Sequence, residues 1–457
     1  MATSGDRATV PGAYWVWLGG AALSLVGVQA MAFAMAWAAA GQGARFAALV
    51  PTAIVLPRVL LLLVGGAVAD RVGAWRVLLA STAAMIVVTV ALAGAAWSPL
   101  DLRLPLLLAA LAIGSVDAFQ LPSSGSMPRR LVPPEVLARA MSARQLAGQL
   151  ALFAGPPLGG VLLGVVGLAG AALTNTATFL AMLVVLLVIR PAAEQSPDTG
   201  PDCGGSTDAE VAHGWSPDAG PDCGRSPNNG PGHGPSPDAG VAHGRSPVSA
   251  ALDGLRLAWS MPVLRAALLV TGVVAGFLLP VGPLLVPLLA RERDWSPSVT
   301  GAVVAAMALG TAIVAVGVLL RGATSRPTAV AAVGLLVAAA GVVVLAVARA
   351  PLPAVLAGVL VGVGAGCFAT HIGPLVLAAT PLTHLARVQS VLVLVQSLPL
   401  LVTANAFGLV VEVAHVAAVL YGCAGVLAVT GLMALAGPAL RRSSHRSLPA
   451  AVGRSNI

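Results

Sequence analysis

Ionisable side chains are few inside the long apolar stretches of this sequence, where charges are usually functional. Arg58 lies twelve residues before Asp70, which stands at the inner end of its apolar stretch, so Arg58 lies about 18 Å from that end along a helix. Asp117 lies at a similar distance from the inner end of another stretch, ten residues before Met127. An arginine–carboxylate pair would compensate both charges in the membrane, and its separation would favour proton uptake. A purely structural pair, or an Arg58 that reaches outward to water, is the alternative. His371 is a weaker candidate for proton exchange.

Amide side chains also occur within the apolar stretches and can form hydrogen bonds there. Such amides either line a substrate cavity or form hydrogen bonds between helices. The candidates for a cavity lining are Gln29, Gln149, Gln396 and Asn405. The sequence contains no nucleotide-binding loop of the Gly-x-x-x-x-Gly-Lys type and no lysine at all, which argues against ATP-driven chemistry. We therefore expect no enzyme activity, no cofactor and no metal site.

The elements that carry these residues are predicted membrane helices. Only 9% of the residues are charged and the mean hydropathy is +0.92, which a soluble chain of 457 residues would not tolerate. Apolar stretches of membrane length recur along the chain. They predict an all-α membrane protein with twelve transmembrane helices, at about 13–40, 46–69, 76–97, 104–122, 142–165, 168–189, 262–289, 298–320, 328–349, 353–378, 386–411 and 414–437.

The arginines indicate how these helices are oriented. If the N-terminus is cytoplasmic, nineteen arginines fall in inner loops and tails and five in outer loops. This bias follows the positive-inside rule and places both termini in the cytoplasm. Because the arginines alternate with spans and form no basic face, the net charge of +8 indicates a lipid bilayer as partner and excludes nucleic acid.

A segment of different composition divides the spans six and six. Residues 191–250 repeat a ten-residue Pro/Gly/Asp unit, which is too polar to bury a core, and we predict a disordered cytoplasmic linker there. Cys203, His213 and Cys223 recur at one place of the repeat, so a metal sensor is conceivable, but the spacing is unlike that of structural zinc sites. The predicted domains are 1–190 and 251–440, each with six helices, the linker 191–250 and a cytoplasmic tail 441–457.

A charged cluster lies in the very short connection between the second and third spans. It contains Gly66, Asp70, Arg71, Gly73 and Arg76, with apolar membrane-length segments on both sides. The spacing resembles the signature loop between helices 2 and 3 of the major facilitator superfamily of transporters. That resemblance implies two six-helix bundles that rock about a midplane cavity, with this loop bracing the inner gate. An ordinary positively charged cytoplasmic loop is the alternative.

Two further motifs resemble the export branch of that superfamily. Gly155, Pro156, Gly159 and Gly160 in the fifth span resemble the antiporter motif, although Ala151 stands where the family usually has glycine. The segment from Pro122 to Ala140 resembles the loop between helices 4 and 5 of the enterobactin exporter and macrolide efflux proteins. The fourth span lacks the Arg-x-x-Gln-Gly run of many proton-coupled antiporters, which puts a standard proton relay in doubt.

The resemblance implies proton-coupled efflux of a hydrophobic or amphipathic small molecule, such as a drug, antibiotic or siderophore. The expected location is the bacterial cytoplasmic membrane, as a multi-pass monomer with protons as the coupling ion. Two alternatives stay open: a nutrient importer of the same superfamily, and a membrane scaffold or signalling protein that uses the linker to bind partners.

Overall fold

The described part of the chain is built from helices and their short connections. The structure, a computed structural model, describes residues 10–99, 101–189, 261–321, 324, 326–379 and 385–436. Within these ranges no residue belongs to a β-strand. Helices satisfy every backbone hydrogen bond within one segment, which is what a chain surrounded by lipid requires. The predicted linker 191–250, its Cys/His repeat and the tail 441–457 lie outside the described residues.

The described N-terminal half contains five helices when each continuous run of helical backbone is counted once. Four of them alternate direction through short connections, and a 3₁₀ turn, Pro134–Val136, precedes the fifth. Their bounds are α1 Gly12–Ala40, α2 Ala44–Val72, α3 Ala74–Trp97, α4 Arg103–Leu131 and α5 Leu137–Val188.

The described C-terminal half contains seven helices, of which the second is short. Their bounds are α6 Pro262–Phe277, α7 Val286–Glu292, α8 Pro297–Arg321, α9 Pro327–Val347, α10 Pro351–Ala379, α11 Leu385–Val413 and α12 Val416–Ala436. Proline lies in the first turn of several of these helices, where its missing N–H costs nothing.

Eleven helices in the described ranges are long and apolar enough to cross a membrane. One of them, Arg139–Val188, has 50 residues, which at 1.5 Å per residue is far longer than a bilayer is thick. Its helical geometry breaks at Gly167, where φ is +66°. This break falls in the two-residue gap that the sequence predicts between its fifth and sixth spans. We call the parts of α5 before and after Gly167 its first and second arms.

A π-helical segment interrupts the first span of the C-terminal half. Residues Val281–Leu285 join α6 to α7, and the Leu285 N–H donates to the Pro280 carbonyl at 3.1 Å, five residues earlier. Pro283 and Pro287 occur in and just after this segment, and proline cannot donate to the carbonyl four residues before it. The helix therefore changes its hydrogen-bond pattern at this depth, as π segments near functional sites often do.

The interpretation of Pro122–Ala140 as a loop is wrong over much of its length. Helix α4 continues to Leu131 with Pro122 and Pro128 inside it, and α5 begins at Leu137. The chain between these helices is short and contains the 3₁₀ turn. Proline and glycine favour a loop in the sequence, but both are tolerated in membrane-protein helices because neighbours satisfy the freed backbone groups.

The helices of each half pack mainly on one another, and both halves belong to one compact unit. In the N-terminal half α5 packs on α1 and α3, and α2 packs on α4. In the C-terminal half α10 packs on α8 and α9, α12 on α9, and α6 on α11. Two helix pairs, α5 with α8 and α2 with α11, make the main contacts between the halves. These two pairs frame the site described next.

Candidate functional site

A cavity of about 530 Å³ lies between the two halves. Pockets of 300–1,000 Å³ are typical of small-molecule sites. Its wall comes from α1 and α5 on one side and from α6, the π segment, α7, α8, α10 and α11 on the other. Most of the wall is apolar, and the polar side chains in it are Gln29, Gln149, Thr271, Thr311 and Gln396. Such a wall suits a mainly hydrophobic molecule with a few hydrogen-bonding groups.

Three of the four predicted cavity amides line this space. Gln29 and Gln149 face it from the N-terminal half and Gln396 from α11. Asn405 is not among the lining residues. Its Nδ2 donates to the Thr52 hydroxyl at 2.8 Å and to the Leu401 carbonyl at 2.7 Å, so it joins α11 to α2. Asn405 thus has the helix-bridging role that was the alternative for these amides.

The glycines of the predicted antiporter motif allow α5 to approach two helices closely. A Cβ added at Gly159 would lie 2.5 Å from the Ala30 carbonyl oxygen of α1, and Gly155 faces Gln29 of the same helix. A Cβ at Gly160 would lie 2.5 Å from the Pro297 carbonyl oxygen of α8. Small residues permit such contacts between membrane helices. The motif therefore lies at a contact between the halves, and Pro156 beside it lines the cavity.

The halves also meet through charged groups at the end of the molecule where α1 ends, α2 begins and α11 ends, which we call the Arg45 end. The Arg45 Nε lies 2.6 Å from the Glu412 Oε2. The Arg291 Nη2 donates to the Trp37 carbonyl at 3.2 Å, and its guanidinium lies 4.1 Å from the centroid of the Trp37 ring. The cavity is thus bounded at this end by contacts between the halves.

Arg293 lies at the same end and caps a helix of its own half. Its Nη1 and Nη2 donate to the Leu345 and Ala346 carbonyls at 3.2 and 2.5 Å. Burial lowers the pKa of Arg293, but guanidinium stays charged in proteins. A cation at the negative end of the α9 dipole is stabilising. Arg293 therefore has a structural role, whereas Arg291 links the two halves.

A second cavity, of about 270 Å³, lies inside the N-terminal half, and we call it the N-half cavity. Arg58 of α2 and Asp117 of α4 both line it, and Arg58 Nη2 forms an ion pair with Asp117 Oδ2. The Asp117 side chain is 14% exposed, so its charge depends on this partner. Arg58 Nε is buried and has no hydrogen-bond partner among the described residues. The predicted juxtaposition of these two residues is therefore present, while their predicted role in coupling stays a prediction.

His371 is buried in α10 and bonded within its own helix. Its Nδ1 lies 2.9 Å from the Cys367 carbonyl and 3.0 Å from the Thr370 hydroxyl. Since a carbonyl can only accept, the proton belongs on Nδ1 in this arrangement. His371 is not among the residues that line either cavity. Its geometry is that of a packed histidine, which weakens it as a candidate for proton exchange.

The predicted gating loop is a one-residue connection between α2 and α3. Gly73 joins Val72 to Ala74 with φ at +96°, a conformation that side chains rarely adopt. Arg71 and Arg76 are exposed on either side of it. The side chain of Asp70 and the surroundings of Gly66 lie outside the described residues. The bracing role of this loop stays a prediction.

Sequence reasoning missed Thr271 and Thr311 of the central cavity and, in the N-half cavity, Arg144. Its place at the edge of an apolar stretch groups it with the cytoplasmic arginines. In the structure it lines the N-half cavity, eight positions into α5 when Leu137 is counted as the first. The available signal was its position inside, rather than before, the predicted span 142–165.

Comparisons with known proteins agree with this architecture. A sequence model of the Major Facilitator Superfamily matches residues 16–404. No curated protein matches the chain. Among solved structures, a POT family transporter in complex with 5-aminolevulinic acid has a TM-score of 0.63 at 12% identity, and covers 93% of this chain and 96% of its own.

Two further solved structures have comparable similarity over nearly their whole length. The nucleoside transporter NupG has a TM-score of 0.64 at 10% identity, and covers 93% of this chain and 99% of its own. A bacterial homologue of the iron transporter ferroportin, in an inward-facing state, has a TM-score of 0.62 at 16% identity. The match covers 95% of this chain and 99% of that homologue. At these identities the likeness shows the fold alone.

Proposed function

Because the chain belongs to the Major Facilitator Superfamily, we propose that it is a secondary transporter that exports a hydrophobic or amphipathic small molecule by alternating access. The observation that carries this proposal is the cavity of about 530 Å³ between the halves, bounded at the Arg45 end by contacts between them. Its mainly apolar wall favours such a substrate over a small ion or a sugar. The same architecture gives no reason to expect enzyme activity.

The membrane topology is part of the proposal. The two arms of α5 each suffice to cross the bilayer, so that the chain has twelve spans and both termini face the cytoplasm of a bacterial cell. The arginine bias supports this orientation. The Arg45 end is then the outer end, and the described state is closed toward the outside. We propose that the chain acts as a monomer.

Protons are the proposed coupling ion, and the Arg58–Asp117 pair is the proposed coupling site. Paired with Arg58, the carboxylate is charged and compensated in the membrane. When substrate or a conformational change within the N-terminal half separates the pair, the buried carboxyl takes up a proton. Re-formation of the pair in the state described here releases that proton toward the cytoplasm. Inward movement of protons then accompanies outward movement of substrate.

Import through the same cavity is the second candidate. It is favoured by the likeness of the fold to a nucleoside transporter and to peptide transporters, although the identities are low. The antiporter motif at Gly155–Gly160 favours export. A scaffold or signalling role explains neither the cavity nor the ion pair within the membrane.

The test is a transport assay in proteoliposomes with an imposed proton gradient. Labelled drugs, siderophores and peptides are screened for gradient-driven movement and for exchange without a gradient. Asp117→Asn is expected to abolish gradient-driven export and to spare exchange, because an amide cannot carry the proton. Asp101→Asn, which changes an exposed carboxylate before α4, is the matched control and is expected to keep both activities.

Two results would contradict the proposal. Full gradient-driven movement by Asp117→Asn would exclude Asp117 as the coupling site. Movement of solute only in the opposite direction would replace export by import. The double variant Arg58→Ala/Asp117→Ala is expected to restore protein levels relative to Arg58→Ala alone, because it removes the uncompensated charge, without restoring coupled transport.

A further inference from the structure

Arg144 is a second guanidinium in the N-half cavity, and it has weak partners. Its Nη2 lies 3.4 Å from the Ser124 hydroxyl, at the limit of a hydrogen bond, and its guanidinium lies 6.0 Å from the centroid of the Trp17 ring. The nearby Tyr14 hydroxyl donates to the Ala140 carbonyl at 2.5 Å and is therefore already engaged. Arg144 is partly exposed, and the cavity gives access to it.

The charges of the described residues that line this cavity do not balance. Arg58 and Arg144 contribute two positive charges, and among these residues Asp117 alone contributes a negative one. Asp117 is paired with Arg58. Among the described side chains, no carboxylate oxygen lies within 4.0 Å of the Arg144 guanidinium. A charge within a membrane span is normally paired, so the uncompensated positive charge of Arg144 favours the binding of an anion in this cavity.

The N-half cavity lies beside the larger apolar cavity. Consecutive residues of α1, Val28 and Gln29, line the smaller and the larger cavity respectively, and Gly148 and Gln149 of α5 do the same. A molecule that reaches past these positions of α1 and α5 would place an acidic group in the smaller space and its apolar part in the larger one. Gln120 and Ser124 supply further polar groups beside Arg144.

We propose that Arg144 binds the carboxylate of an amphipathic organic anion whose apolar part occupies the central cavity. A guanidinium binds a carboxylate through two parallel N–H···O bonds, and this geometry favours arginine over lysine. The inference rests on the proposed transport function, because it names the class of molecule that the same cavity carries.

The test uses three probes that share one apolar body and differ in the headgroup. These are 4-phenylbutyrate, 4-phenylbutanol and 4-phenylbutylammonium. Binding is measured as the ligand-dependent rise in unfolding temperature of the purified full chain in neutral detergent. The wild type is expected to bind the carboxylate at least tenfold more tightly than the alcohol, and the ammonium most weakly, since Arg58 and Arg144 repel it.

Variants then assign the preference to Arg144. Arg144→Gln is expected to weaken 4-phenylbutyrate binding about tenfold or more and to leave the alcohol unchanged. Arg144→Lys is expected to weaken 4-phenylbutyrate binding less, because lysine keeps the positive charge although it lacks the planar guanidinium that forms two parallel hydrogen bonds. Arg139→Gln is the matched control, since Arg139 lies on the same helix and is exposed. It should bind all three probes as the wild type does.

The inference is overturned if the wild type shows no preference for the carboxylate, or if Arg144→Gln keeps that preference. An arginine that serves only as a marker of the cytoplasmic side would give the second result. The outcome is separable from the transport proposal. If proteoliposomes move the alcohol or the ammonium while no carboxylate preference exists, transport stands and this inference falls. If the preference depends on Arg144 while no probe is moved, the site stands and transport falls.

Discussion

The glycine contact between α5 and α8 is expected to control which end of the transporter is open. A Cβ at Gly160 would lie 2.5 Å from the Pro297 carbonyl oxygen, about 0.9 Å closer than the 3.4 Å at which ordinary contact begins. The reciprocal contact, from Gly301 to the Pro156 carbonyl oxygen, would be 2.6 Å. Gly160→Ala must therefore push the two helices apart at the Arg45 end.

The size of the effect follows from the cost of overpacking. An extra methyl group in a tight contact costs about 1–3 kcal/mol. The cost applies only while α5 and α8 touch at this end, so it acts against the state described here. A difference of that size shifts the equilibrium between the two states by about 5- to 150-fold. Alanine also stabilises a helix by about 1 kcal/mol relative to glycine, but this gain is the same in both states and does not change the equilibrium between them.

Gly164→Ala is the matched control, because it lies one turn later on α5 and a Cβ there has no neighbour within 4 Å. Spin labels at Asp101→Cys and Arg349→Cys, with the four native cysteines replaced, report the distance between the halves at the Arg45 end by pulsed electron resonance. We expect Gly160→Ala to populate a longer distance and Gly164→Ala to match the parent. Identical distance distributions for the two variants would refute the reasoning.

Three further predictions concern the Arg45 end, the α2–α3 turn and the linker. A double-mutant cycle with Arg45→Gln and Glu412→Gln should give a coupling below about 1 kcal/mol, because the arginine is 64% exposed; a larger coupling in unfolding assays would contradict this. Gly73→Ala should lower the free energy of unfolding by about 1–3 kcal/mol, since the φ of Gly73 is +96°. Gly94→Ala should not, because a Cβ there has no neighbour within 4 Å; equal unfolding temperatures for the two variants would count against this prediction. Shortening 196–246 to one or two repeats should preserve transport at normal membrane levels, and loss of transport would assign the linker a role.

Hydropathy is sufficient to predict much of the helical layout. The spans predicted at 298–320 and 328–349 correspond to helices Pro297–Arg321 and Pro327–Val347. The gap predicted after residue 165 coincides with the non-helical Gly167. Counting residues from the inner end of each span places Arg58 and Asp117 at a similar depth, because a helix has a fixed rise, but that they face each other is seen only in the structure.

Contacts between distant helices cannot be predicted in the same way. Arg45 and Glu412 belong to separate predicted outer loops, and nothing in the sequence indicates that they meet across the halves. Asn405 and Gln396 are both amides of one helix, but only Gln396 faces the central cavity, which depends on how α11 is rotated. Arg144 lies inside the predicted span 142–165, but its place near the edge of that span does not distinguish a side chain that faces a cavity from one that faces the cytoplasm.

The π segment between α6 and α7 has a consequence for how the substrate preference of this protein can evolve. Leu279 and Pro283 line the central cavity, and the carbonyls of both lack their usual donor because Pro283 and Pro287 follow four residues later. The hydrogen-bond acceptors that these two residues offer to a substrate are therefore main-chain carbonyls. Point mutations of the surrounding side chains would alter the shape and size of the cavity but leave that polarity in place. Divergence among close homologues should therefore alter which apolar bodies fit sooner than it alters the main-chain acceptors at this segment, to which a substrate would donate.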